Sequence, residues 1–185
     1  MRLAVGSVLF VLAVFFALIL QEFIPPVKAL HGARVLLVPM IFCYAAMVMP
    51  AWLMLLAALF TGFLTDLNYL HVVDGQVEIG LGFSIVFFVL FGLLANGFQP
   101  AFRRGHWWLH ILLSALGTSV FLLLQFGMIT LRREGFFFNE LVAWRILGPG
   151  LMAAVLSPLL HLLVVQAGQF LPDDINALGG YRDER

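Results

Sequence analysis

Residues 3–20 read LAVGSVLFVLAVFFALIL, eighteen positions without a charge or a proline. A helix needs about 20 apolar residues to cross the hydrocarbon core of a bilayer. This run comes close to that length, and the rest of the chain repeats its texture. Of 185 residues, 63% are apolar and 11% are charged, and the mean hydropathy is +1.05. An average soluble domain carries roughly 25% charged residues. A soluble protein of this size must present a largely polar surface, so that class is excluded. Disorder is excluded as well, because it requires low hydrophobicity and high net charge. An integral membrane protein remains. Long unbroken apolar runs, instead of short alternating strands, make it helical and not a β-barrel.

Working outward from the first run gives six spans. Arg2 precedes residues 3–20 as in a signal peptide, but no A-x-A site follows, so the run is read as an uncleaved first span. Gln21 to Arg34 is a polar break in which Pro25 and Pro26 enforce extended backbone. Span 2 covers about Val35 to Met49, and Pro50 turns the chain tightly into span 3, which ends near Asp66. Leu67 to Glu78 is a polar loop containing Asn68, His71, Asp74 and Glu78. Span 4 covers about Ile79 to Ala95, and Asn96 to His106 is a second loop. Span 5 runs from Trp107 to Leu131, opened by the Trp107–Trp108 pair at the interfacial level. Span 6, Leu141 to Val165, is interrupted by Gly148, Pro149 and Gly150 and again by Ser157 and Pro158. Residues 1–167 form one six-helix transmembrane domain, and 168–185 form a polar cytoplasmic tail.

Six spans put both termini on one side. That side holds Arg2, Arg103, Arg104, Arg182 and Arg185, against Lys28, Arg34, Arg132 and Arg133 on the other. The positive-inside rule therefore leans weakly toward cytoplasmic termini. Ten basic and ten acidic residues balance to zero net charge, which argues against a nucleic-acid partner. Cys43 is the sole cysteine, so there is neither a disulfide framework nor a CxxC metal pair.

Two charges fall at or inside span ends: Asp66 and Arg145. A charge at membrane depth is costly unless paired or hydrated. The topology brings both to the same outer interface, where two readings stand: Asp66 sits in the interfacial loop while Arg145 snorkels, which is the favoured one, or the two form an ion pair. Ala58, Gly62 and Asp66 recur every fourth residue on one face of span 3, a small-residue face that lets another helix approach closely. Span 5 repeats the feature at Ser114/Thr118 and Ala115/Ser119. His110 and His161 lie near the same end and read as satisfied packing residues. Gly148, Pro149 and Gly150 predict a kink, with a hinge as the sharper alternative. There is no G-x-S-x-G, H-E-x-x-H or Walker sequence, so neither enzymatic activity, a metal nor a cofactor is expected.

The span layout and the stretch Ala58-xxx-Gly62-xxx-Asp66-Leu67, leading by a loop to Gly80-Leu81-Gly82 at the entry to span 4, resemble the rod shape-determining MreD family. There the third span carries G-x-x-x-G-x-x-x-D-L; Ala58 stands here for the first glycine. The resemblance implies a non-enzymatic component of the bacterial inner membrane within the cell-elongation machinery. It implies binding to an MreC-like protein, and action with MreB, RodA and a class B penicillin-binding protein in lateral peptidoglycan synthesis. It also implies a fold similar to the S components of energy-coupling-factor vitamin transporters, which supplies the alternative function. Such a subunit would need an outward polar pocket, for which Asp66, Asn68, His71 and Arg145 are the candidates. It would also need a small face on span 1, where Ala13 and Ala17 have the spacing. Ala58, Gly62, Asp66, Arg145, Gly148, Pro149 and Gly150 are the packing or partner-binding candidates.

Overall fold

The first apolar run forms helix α1, Arg2–Phe23. Pro25 and Pro26 then hold the chain out of helix, and a single 3-10 turn at Lys28–Leu30 reverses it. The computed structural model describes residues 2–69, 72–73, 76–77, 82–132 and 139–170. Helices α2 (Val38–Val48) and α3 (Ala51–Asn68) follow, separated by Met49 and Pro50 in extended conformation. Pro39 sits in the first turn of α2, where a missing N–H costs nothing. Two-residue strands, β1 (Val72–Val73) and β2 (Gln76–Val77), pair antiparallel within the stretch expected as loop. Helix α4 (Phe83–Gly97), a short α5 (Gln99–Arg103), α6 (Trp108–Arg132) and α7 (Glu140–Phe170) complete the bundle.

The fold is an all-helical membrane bundle, but its spans are unequal. Among the described residues, four helices are long and apolar enough to cross a membrane: α1, α3, α6 and α7. The other two apolar segments yield only 11 residues in α2 and 15 in α4, or about 16 and 22 Å of helix. Neither reaches across a hydrocarbon core of about 30 Å. The six expected spans are thus four long helices and two short ones; span 2 is short as expected, whereas span 3 forms the 18 residues of α3. The physical reason is visible at Val35 and Leu36. They are apolar because they are buried at 5% and 7% exposure, not because they are helical; residues 34–37 lie outside any helix, ahead of α2. Non-helical backbone is tolerated at membrane depth where protein covers it.

Two further boundaries change. α7 is continuous through Pro149 and Pro158, so the predicted interruption of span 6 is absent. It also runs through Phe170, past the predicted tail boundary at 168. Residues 171–185, like His71, Asp74, Glu78 and Gly80, lie outside the described residues. The Asn96–His106 stretch, expected as loop, contains the end of α4 and all of α5.

α2 lies at the centre. Phe42, Cys43 and Met47 are fully buried, and Phe42 meets Phe88 of α4 edge-on at 5.0 Å. Phe87 and Phe121 extend the cluster into α6 at 4.9 Å. Around this core, α1, α3, α4, α6 and α7 turn leucine, valine and phenylalanine outward, including Phe16, Leu56, Leu90, Leu116 and Val155, each at least half exposed. Lipid covers these faces, which explains how a chain this apolar exposes so much of it.

The helix order places Lys28 at one end of the bundle and His106 at the other, both exposed. In a Cys43→Ala background, Lys28→Cys and His106→Cys should react with an impermeant thiol reagent from opposite sides of sealed vesicles. Labelling of both from one side would refute this topology.

Candidate functional site

Asp66 is 4% exposed on the last turns of α3. Its two carboxylate oxygens accept hydrogen bonds from backbone amides at the start of α4. Gly82 N–H donates to Oδ2 at 2.6 Å, and Ser84 N–H donates to Oδ1 at 3.0 Å. Helix starts leave amides without intrahelical partners, and the macrodipole makes them electropositive. α4 carries no capping side chain of its own: its N-cap is Gly82, at φ +104, a conformation that favours glycine. The cap comes instead from another helix. A charged acceptor makes these bonds about twice as strong as neutral ones.

Gly62, one turn earlier, explains how the carboxylate gets close enough. A Cβ on Gly62 would meet Ile85 Cα at 2.5 Å and Ile85 N at 2.6 Å. Ala58, a further turn back, is fully buried. The face Ala58–Gly62–Asp66 is therefore a single device. The small residues bring α3 onto the α4 backbone, and the aspartate closes the contact on the freed amides. Thr65 Oγ1 returns a bond to Thr61 O at 2.7 Å on the same helix.

This arrangement rules out the Asp66–Arg145 ion pair and also the reading of Asp66 as an interfacial loop residue, since it is buried within α3. Both carboxylate oxygens serve α4, and Arg145 is exposed on α7. Among the described residues the ion pair present is Glu22–Arg34 at 4.0 Å, with both side chains more than half exposed. Such a pair contributes little. Near it the Tyr69 phenol, just beyond α3, is pushed up to about 12, first by burial and then by the charge of Glu22, with Arg34 opposing.

Gly148 and Gly150 pack closely against neighbouring elements, as expected of packing candidates, within a helix that stays continuous through Pro149. A Cβ on Gly150 would strike Ser119 Oγ and reach Ala115 O at 2.8 Å. A Cβ on Gly148 would meet Ala33 Cβ at 2.6 Å. The Ala115/Ser119 face of α6 is thus what Gly150 packs against. The Ser114/Thr118 face is fully buried, and Thr118 Oγ1 donates to Ser114 O at 2.7 Å on the same helix.

The opposite end holds a polar-aromatic group that sequence reading treated as satisfied. His110 Nδ1 lies 2.9 Å from Ser114 Oγ, but its Nε2 is buried without a partner. His161 Nδ1 is buried and unpartnered too. Tyr44 packs against both rings, at 5.3 and 6.0 Å between centroids. The signal missed was Tyr44 itself, the polar-tipped ring of an otherwise apolar helix. The described residues contain no group of three or more His, Cys, Asp or Glu placed to hold a metal ion.

Side-chain caps recur on this face. Asn96 Nδ2 donates to Ala46 O and Met49 O at 2.8 and 2.9 Å, and Gln99 Nε2 donates to Val48 O and Met49 O at 3.2 and 3.1 Å. They close the carboxyl end of α2 as Asp66 closes the amino end of α4. Internal space is small: a cavity of about 10 Å³ beside Gln21, Thr65 and Tyr69 has room for one water. An open cleft of about 300 Å³ lies between His31, Asn139, Glu140 and Trp144.

No family model matches this chain, and no curated protein or solved structure matches it either.

Asp66→Asn removes the charge from the α4 cap and should cost about 1–2 kcal/mol of stability in detergent. Arg145→Gln should cost less than about 0.5 kcal/mol, as exposed substitutions do. The two effects should add, because the residues share no contact; a coupling above about 0.5 kcal/mol in a double-mutant cycle would restore the ion pair. Gly62→Ala should destabilise more than Asp66→Asn, since its methyl group meets backbone that cannot swing aside.

Proposed function

We propose that this protein is a non-enzymatic membrane component of the bacterial cell-elongation machinery, of the MreD type, seated in the inner membrane with cytoplasmic termini. The observation that carries the reading is the α3–α4 contact. The residues that resemble the family's G-x-x-x-G-x-x-x-D-L stretch act together, as close-packing positions and a helix cap. Their role is architectural, which suits a protein that positions partners. On this reading the chain binds an MreC-like protein and works beside MreB, RodA and a class B penicillin-binding protein, which supply the chemistry of peptidoglycan synthesis.

The S-component alternative draws on the cleft of about 300 Å³ at His31, Asn139, Glu140 and Trp144, a volume at the lower end for small-molecule sites. Of the residues first considered for its pocket, Asp66 is committed to α4, Asn68 and Arg145 do not line this cleft, and His71 lies outside the described residues.

Depletion in the host, with imaging and affinity capture, separates the two. Loss of elongated shape and co-purification of an MreC-like protein are expected. Unchanged shape with capture of an ATP-driven transport module and a bound vitamin would establish the alternative.

A further inference from the structure

We infer that the α5–α6 elbow binds the headgroup of an anionic phospholipid. Among the described residues its charge is uncompensated. Arg103 closes α5 and Arg104 follows it, both with exposed side chains. The acidic side chains among the described residues are Glu22, Asp66 and Glu140, at the end of α1, the end of α3 and the start of α7. The helix order places all three at the far end of the bundle. The two guanidinium groups therefore face solvent or headgroups with no described carboxylate at their end.

Their depth is set by the neighbouring aromatic residues. Trp107 and Trp108 open α6 and are each about half exposed. Tryptophan is enriched at the membrane–water boundary, its indole body in lipid and its N–H toward water. Inward of this level the exposed residues are apolar: Leu94 on α4 and Leu112 and Leu116 on α6. Acyl chains meet leucine where a headgroup meets arginine.

The elbow is also held in shape. Asn96 and Gln99 tie it to the end of α2. His106 Nδ1 lies 3.1 Å from Ala101 O; a carbonyl only accepts, so Nδ1 carries the proton. Gly105 turns the chain at φ +91. The His161 ring stacks parallel on Trp107, with centroids 6.4 Å apart, and meets Phe102 edge-on. Two adjacent guanidinium forks on a rigid turn suit a phosphodiester that carries no balancing amine. Phosphatidylglycerol and cardiolipin have that chemistry, whereas phosphatidylcholine neutralises its own phosphate.

The test uses the full chain with Trp52→Phe and Trp144→Phe, so that Trp107 and Trp108 report alone. It is reconstituted in mixed phosphatidylcholine and phosphatidylglycerol, with bromine, a fluorescence quencher, on one lipid at a time. Brominated phosphatidylglycerol should quench more than its membrane fraction predicts. Arg103→Gln with Arg104→Gln should remove that preference, about fivefold for each arginine. Lys28→Gln with Arg34→Gln, at the far end, should leave it intact. Equal quenching by the two lipids, or a preference that survives Arg103→Gln with Arg104→Gln, would overturn the proposal. Complete competition by inorganic phosphate would also overturn it, marking a soluble-anion site. So would a preference that appears only after Asp173→Asn and Asp174→Asn, which would show the chain's own acidic segment in place of lipid.

Discussion

Asp66 and the two amides it holds state the constraint on which this bundle rests. A backbone polar group that ends inside a bilayer cannot borrow water, so it must find a partner within the protein. Helices that run from one aqueous face to the other leave their loose ends in water. α2 and α4 are too short to do so. They are also the helices whose ends are closed by side chains from elsewhere: Asp66 on the amides of α4, Asn96 and Gln99 on the carbonyls of α2. The chemistry follows the dipole, with a carboxylate at the positive amino end and amide donors at the negative carboxyl end.

Those caps in turn require close approach, and close approach requires missing side chains. Between helices in lipid there is little hydrophobic drive, because hydrocarbon tails are as apolar as leucine. Association comes from packing and hydrogen bonds, so distance decides its strength. Gly62 brings α3 onto the backbone at Ile85, and Gly150 brings α7 onto Ala115 and Ser119 of α6. These pairs flank the central α2, whose Phe42 and Met47 fill the space between them.

How much of this was legible in the sequence differs from residue to residue. The apolar runs located every long helix, since burial in lipid and helix formation make the same demand over about 20 residues. Length failed for α2 because Val35 and Leu36 are apolar without being helical. The small-residue faces of α3 and α6 were legible from four-residue spacing, and both are contact faces. Asp66 was rightly singled out by the cost of its charge, but its partner was not. Charge pairing leaves a mark in sequence as a complementary side chain, whereas backbone amides leave none beyond the glycine at 82. Gly148 and Gly150 were rightly taken as packing candidates, and only the interruption expected at Pro149 is absent. Proline in a soluble helix interrupts it, but within lipid neighbouring helices and local adjustments satisfy the freed carbonyls, so α7 stays continuous.

The internal use of these glycines bears on where a partner can bind. Gly62, Gly148 and Gly150 are already filled against Ile85, Ala33 and Ser119 of the same chain. A variant at any of them acts on the fold first, and lost association there would not locate an interface. The exposed leucines and phenylalanines of the spans carry little partner information either, since lipid serves them as well as protein would. What distinguishes one partner from another must lie in groups that lipid tails cannot satisfy. In the described residues these sit at the two ends of the bundle: His31, Glu140 and the Glu22–Arg34 pair at one, Arg103 and Arg104 at the other. On the proposed reading, partner recognition draws on these end groups, while the span faces set depth and orientation for them.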